Sequence, residues 1–226
     1  MSSPDDAYEA KCQILQTIRR QALKNNPNGV LLYQDEVSYE SEPSLAKAYG
    51  AEGNRQPKAS HRPSNQHKAR IAGAMDAQTG EVQYLQSEKI GRKELITFYE
   101  QLVETWPDQR LYMVQDNWPV HFHPQVMETL ETQISPWTFW IPDNWPNNKE
   151  AIQHDGPLPI QIVRLPTYAP WLNPIEKLWR WLKQNVIHMH ELADDWSKLK
   201  RKVISFLDRF QTGSQQLLKY TGLLPD

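Results

Sequence analysis

Apolar residues recur at helical spacing near both ends of the chain and in short, strand-like runs between them. Ile14, Leu15, Ile18 and Ala22 fall on one side of a helix predicted from Asp5 to Ala22, which the segment KNNPNG breaks. Val30 to Gln34 predicts a short buried strand that ends at Asp35. The stretch from there to about Arg70 is polar and rich in turn formers, with one short strand expected around Leu45 to Tyr49. IAGAM (71–75) and VQYLQ (82–86) flank DAQTG and predict a hairpin with a glycine-containing loop. Leu95, Phe98, Tyr99 and Leu102 mark a helix from Gly91 to Glu104, closed off by Pro107. Leu111 to Gln115 reads as a second buried strand, ending at Asp116, and Pro124 to Thr132 as a helix. Ile160 to Leu165 is a further strand, and Asn173–Ile187 and Trp196–Phe210 are amphipathic helices.

This order predicts a mixed α/β sheet flanked by helices, with the strands ending at Asp35 and Asp116 side by side. Ligands of such sheets gather at the carboxyl ends of the strands, where both aspartates would sit. The expected organisation is an N-terminal helix and linker (1–27), a catalytic-sized α/β unit (28–190) and a helical extension (191–226). Trp137 to Leu158, with three tryptophans and several prolines, reads as an insertion or lid within that unit.

Size and composition narrow the setting. At 226 residues the chain needs no staples to hold a core, and nine tryptophans help to fill one. No apolar run approaches the roughly 20 residues of a membrane span, and MSSPDDAYEA lacks the features of a signal peptide. Cys12 is the single cysteine, which fits a reducing cytosol and argues against a thiolate zinc site. The net charge of −2 speaks mildly against a nucleic-acid partner, but basic residues are clustered. Arg55, Lys58, Arg62, Lys68 and Arg70 form one acid-free run, and Lys177, Arg180 and Lys183 lie on the helix after Asn173. Taken singly, each cluster is equally well explained as an ordinary solvated surface.

The chemistry points to carboxylates. Asp35, Asp116 and Glu176 are carried by three separate rigid elements, which is what hard divalent cations acting on a phosphodiester require. Asp35, on the first and central strand, is the expected bridge between two ions, with Asp116 and Glu176 holding them from either side. Each acid has a plainer reading. An aspartate after a strand is commonly a turn former. Asn173-Pro174-Ile175-Glu176 fits a capping box, with Asn173 as N-cap, as well as it fits a ligand helix, and spacing does not separate the two. Glu176, Arg180 and Lys183 form a stripe beside the apolar face of Ile175, Leu178, Trp179, Leu182 and Val186, which suits a metal ligand next to a phosphate track or a plain ion-paired surface. His121 and His123 lack a third nitrogen or sulfur ligand at metal spacing, so a surface or phosphate-facing role is expected. Trp118 and Trp171, each near an expected ligand, are the tryptophans placed to touch DNA.

Three segments resemble the catalytic half of mariner-like Asp-Asp-Glu transposases of the bacterial insertion-sequence branch. They are Asp35-Glu36; Gln115-Asp116-Asn117 with His121; and Leu165 to Pro170 followed by Leu172 to Glu176 and on through Trp179 to Lys183. The resemblance implies a ribonuclease-H-like fold and two Mg²⁺ or Mn²⁺ ions on Asp35, Asp116 and Glu176. It also implies cut-and-paste transposition of DNA, with a homo-oligomer assembled on the transposon ends. It makes Asn117 and His121 supporting or DNA-facing residues, and gives Asn173 and Pro174 the task of fixing the approach to the helix. Arg55, Lys58, Arg62, Arg180 and Lys183 would track phosphates. This chain departs from the pattern in the 60 positions between Asp116 and Glu176, lengthened by 137–158, and in Tyr49, where tryptophan is common. Only 34 residues precede Asp35, so a separately encoded helix-turn-helix part is expected to grip the ends. The alternatives are an inactive remnant or a non-catalytic nucleic-acid-binding module of the same fold, and a nuclease that only hydrolyses.

Overall fold

The computed structural model describes residues 3–23, 29–44, 65–131 and 157–224. A helix, α1 (Tyr8–Leu23), precedes the long strand β1 (Gly29–Glu40). The hairpin β2 (Lys68–Asp76) and β3 (Val82–Ser87) leads to α2 (Arg92–Thr105) and β4 (Arg110–Gln115). A 3₁₀ turn (Pro119–Phe122) and a short α3 (Pro124–Glu128) follow. Then come β5 (Ile160–Arg164), α4 (Ile175–Leu182), α5 (Trp196–Asp208) and α6 (Gln215–Thr221). Among the described residues no helix is long and apolar enough to cross a membrane.

The five strands form one sheet in the order β3-β2-β1-β4-β5. β1 pairs antiparallel with β2 and parallel with β4, and β4 pairs parallel with β5. β1 is therefore central, and it runs on past Asp35, where a strand end was expected. Its pairing with β4 stops at Tyr33, but β2 holds it through Glu40. The polar-looking DEVSYE is in fact a half-buried strand: Val37 and Tyr39 are buried while Ser38 and Glu40 face solvent. Asp35 thus sits mid-strand, at the level where β4 gives out.

Alternation along the strands builds two cores. Leu31, Tyr33, Val37, Ile71, Val114 and Val163 face α1, α4, α5 and α6, and Val30, Leu32, Ala72, Ala74, Leu111 and Met113 face α2 and α3. On α1 the contact uses Leu15 and Ile18, whereas Ile14, expected on the same side, is 38% exposed; Lys11 takes the next inward position. The helix expected over 124–132 ends at Glu128, because Leu130 turns to bridge Leu158. The helix expected to Ile187 is α-helical only to Leu182. Residues 183–187 widen into a π turn closed by the His188 amide on the Lys183 carbonyl, which buries Ile187. α6 was not anticipated, although its sequence carries the signals: Ser214 caps the Leu217 amide and Gly222 ends it at φ +81°. The expected strand at 45–49, the basic residues Arg55, Lys58 and Arg62, and nearly all of 137–158 lie outside the described residues.

One glycine links the fold to what lies above it. Gly73 on β2 is the register partner of Asp35, and the Trp179 indole of α4 lies over it. A Cβ at this position would come within 2.5 Å of the indole Cη2 and 2.8 Å of Cζ2. Gly73→Ala is therefore expected to displace Trp179 and to cost about 2 kcal/mol, seen as a lower midpoint in thermal melting. An unchanged midpoint would show that the ring shifts freely.

Candidate active site

Asp35 projects from β1 toward α4, since residue 35 shares the face of residues 33 and 37. Its Oδ2 accepts a hydrogen bond from Trp179 Nε1 at 3.0 Å. Asp116 follows the last residue of β4, at the crest of the parallel strands, where its Oδ1 accepts from the Trp118 amide at 2.9 Å. Glu176 stands in the first turn of α4. All three open onto one pocket of about 430 Å³, walled also by Trp118, Asn173 and the loop from Leu165 to Pro170.

The capping-box reading of α4 fails on the side chains. Asn173 Nδ2 donates to the Gln34 carbonyl at 3.0 Å instead of capping the helix, and the helix start shows no side-chain cap. Asn173 ties α4 to β1 one residue before Asp35. Its Oδ1 is buried, faces no partner and belongs to a residue of the pocket wall. Neither Arg180 nor Lys183 forms an ion pair with Glu176 among the described residues, although both influence its charge.

The electrostatics show the crowding. Asp35 has its pKa pushed up to about 8, first by burial and then by the charges of Glu176, Glu36 and Asp116. Glu176 is raised by burial of its carboxyl in the pocket wall and by Asp116, against the pull of Lys183 and Arg180; this holds although the residue as a whole is exposed. The buried Asp35 thus disfavours its own negative charge in the absence of a neutralising partner.

Beneath Asp116 lies a layer that the sequence did not announce. Glu36, pointing to the opposite face from Asp35, accepts from Gln34 Nε2 at 2.7 Å and lies 3.0 Å from His121 Nε2. His121 Nδ1 is 3.5 Å from Asp116 Oδ1. His121 is 1% exposed, so of the two roles expected for it the surface or phosphate-facing one is wrong, while a supporting one stays open: the 3₁₀ turn folds the ring under Asp116, between Trp118 and Phe122. Burial lowers its pKa, but Glu36 and Asp116 outweigh that, and the imidazole is held above its ordinary value. His123 instead caps α3 by accepting from the Gln125 amide. Asn117, half-buried, lines the pocket: its side-chain amide donates to the Leu165 carbonyl at 2.9 Å and accepts from Arg164 Nε at 3.0 Å, bracing the ends of β4 and β5. The signal for this layer was the Asp-Glu pair itself, because neighbours on a strand face opposite sides.

The pocket wall is fastened from the N-terminus. Asp5 Oδ2 accepts from the Thr167 amide at 2.8 Å and from Lys11 Nζ at 2.6 Å, and Oδ1 accepts from the Ala7 amide at 2.9 Å. The Ser3 hydroxyl donates to the Thr167 carbonyl, and Trp171 Nε1 to the Tyr8 hydroxyl at 3.4 Å.

A family of DDE superfamily endonucleases matches residues 30–200, which include all three acids. The chain belongs to this family. It is 25% identical over 179 residues to an uncharacterized 39 kDa protein of insertion element IS630 from Shigella sonnei, covering 79% of this chain and 44% of that protein. Among solved structures, the chain resembles the Mos1 mariner paired-end complex with Mn (TM-score 0.59, 18% identity, 96% of this chain and 58% of that one). It also resembles the Mos1 transposase paired-end complex with the left transposon end (TM-score 0.58, 16% identity, 97% of this chain and 58% of that one). At such identities the structures speak to the fold, and the expected ribonuclease-H-like sheet flanked by helices is what they show. The chain spans about half the length of the relatives it matches.

Proposed function

We propose that this DDE endonuclease is the catalytic part of a DNA transposase, which cleaves phosphodiesters at transposon ends and joins the freed 3′-hydroxyl to target DNA. The observation that carries the reading is the opening of Asp35, Asp116 and Glu176, from β1, the end of β4 and α4, onto one pocket. DNA end recognition is assigned to parts of the relatives that this chain does not span, and the active assembly to more than one copy.

The donor set suits hard divalent cations such as Mg²⁺ or Mn²⁺. All three acids are oxygen donors, Asn173 with its buried, unpartnered Oδ1 lines the same pocket, and the charge crowding on Asp35 favours a cation. Among the described residues no group of three His, Cys, Asp or Glu side chains is placed to hold a single ion. Asp35, Asp116 and Glu176 would be the residues to hold such ions, with water completing their shells. When bound, such ions supply activation of the attacking oxygen and neutralisation of the phosphate. The protein's own contribution is positioning. Trp179 fixes the Asp35 carboxylate from α4, His121 and the Trp118 amide restrain Asp116, and Asn173 sets the distance from α4 to β1. In the first reaction water attacks the phosphorus, breaking the bond to the 3′ oxygen and leaving a 3′-hydroxyl. In the second that hydroxyl attacks a target phosphodiester and displaces its 3′ oxygen.

Glu176→Gln and Asp116→Asn are expected to leave the melting midpoint near that of the parent chain and to abolish Mg²⁺-dependent nicking of plasmid DNA. Full activity in either variant would refute the assignment. Calorimetric titration with Mn²⁺ addresses the inactive-remnant alternative: the parent chain should bind the ion and Asp35→Ala should not. Pre-cut ends that are never joined would leave a hydrolytic nuclease.

A further inference from the structure

The strangest residue of the pocket wall is Tyr168. It is 79% exposed, the largest value among the exposed large apolar side chains of the described residues, and its φ is +53°. A left-handed tyrosine is costly, and one so exposed has no burial of its own to offset the cost. The conformation is imposed by its neighbours. Asp5 and Ser3 hold the peptide groups on both sides of Thr167, and the 3₁₀ turn from Pro170 locks the other flank through the Leu172 and Asn173 amides. The result is a rigid aromatic face standing at the mouth of an acidic pocket, with Trp118 in the same wall and Trp171, 42% exposed, just beyond.

Charge decides what such a face can receive. A pocket holding Asp35, Asp116 and Glu176 repels the phosphates of an approaching strand except at the point of reaction. A neutral ring offers a nucleotide a contact free of that repulsion, and every base has a π face to stack on it. A paired base keeps both faces occupied inside the duplex, so the partner must be unstacked.

Building on the function proposed above, we propose that Tyr168 is a stacking platform for one unpaired nucleobase next to the scissile phosphate. That base belongs either to the transposon end or to the target strand, and the same chemistry serves both.

The test uses the full chain and three DNA probes of arbitrary sequence: a fully paired duplex, a duplex with an unpaired 3′-terminal 2-aminopurine standing for a donor end, and a duplex with an unpaired internal 2-aminopurine standing for a target. Parent protein should quench one of the two unpaired probes, and the quenched probe identifies the source. Tyr168→Asn, which tolerates the left-handed backbone and so keeps the loop, should weaken binding of that probe about tenfold and abolish quenching, while leaving the paired duplex unaffected. Tyr168→Phe should behave as the parent. Equal binding and quenching by the parent and Tyr168→Asn overturns the platform alone, with DNA binding intact. Failure of the parent chain to quench either unpaired probe with Mn²⁺ present overturns the platform, whereas the functional reading is overturned separately, by Mg²⁺-dependent nicking that persists in full in Asp116→Asn or Glu176→Gln.

Discussion

Replacing Asp35 by asparagine is expected to abolish nicking, by ~10³-fold or more, and at the same time to raise the melting temperature of the protein in EDTA. Asparagine preserves the shape and leaves an oxygen to accept from Trp179 Nε1, now 3.0 Å from Asp35 Oδ2. It removes a charge that burial and the neighbouring Glu176, Glu36 and Asp116 disfavour. The sign follows from linkage. The folded-state pKa of Asp35 is raised to about 8 from 3.8, so between these values the folded chain binds more protons than the unfolded one. Its contribution to stability is therefore least unfavourable below pH 4 and deteriorates as pH rises toward 8. Asp35→Asn should flatten that limb and gain about 2 kcal/mol at pH 8, or roughly 5 °C in Tm. Mg²⁺ or Mn²⁺ should stabilise the parent chain and not the variant. A variant that melts lower than the parent at pH 8 in EDTA would show that Asp35 is stabilising as it stands and would remove the crowding argument.

The same residue shows what the chain's pattern reveals and where it stops. Apolar runs ending at Asp35 and Asp116 located both acids at the level where the parallel strands give out, because a buried strand is legible from its side chains alone. That β1 continues beyond Asp35 was not legible. The continuation depends on β2, whose register with β1 is a long-range pairing, and its outward residues are as polar as a loop. Asn173-Pro174-Ile175-Glu176 was readable in two ways, and a contact with Gln34, 139 positions away, decided between them. His121 looked like a surface residue because no third nitrogen or sulfur ligand stood at metal spacing from it and His123. The turn is there, but it folds inward, where Glu36 partners Nε2 at 3.0 Å and Asp116 Oδ1 lies 3.5 Å from an Nδ1 that has no hydrogen bond. Gly73 was visible as a glycine in a strand, but its purpose came into view only with the Trp179 ring above it. In each case what the sequence hid was a contact between distant segments.

The N-terminal fastening is the longest of these contacts and carries the second large prediction. Asp5 and Lys11 have side chains only 8% and 6% exposed, and the Asp5 carboxylate receives an ammonium and two backbone amides, one of them 162 positions away in the pocket wall. Burial raises the Asp5 pKa, but the hydrogen bonds from Lys11, Thr167 and Ala7 more than reverse it, bringing it down to about 2. A depressed carboxylate contributes stability that is complete above its unfolded value and lost as pH falls through the folded one, here between about pH 4 and pH 2. Asp5→Ala should cost about 3 kcal/mol at pH 7, because it strips a buried ammonium and the Thr167 amide of this acceptor at once. The cost should shrink toward pH 2, where the parent has lost the same interaction. Adding Lys11→Met should recover part of it, since an apolar side chain of similar length suits the site once the carboxylate is gone. The diagnostic readout is amide hydrogen exchange at Thr167. If Asp5 holds the wall of the acidic pocket, exchange there should accelerate in Asp5→Ala far more than in the sheet. Unchanged protection at Thr167, with or without a change in Tm, would mean that the loop carrying Tyr168 keeps its shape by itself, and that the first helix is attached to the catalytic fold without bracing its active face.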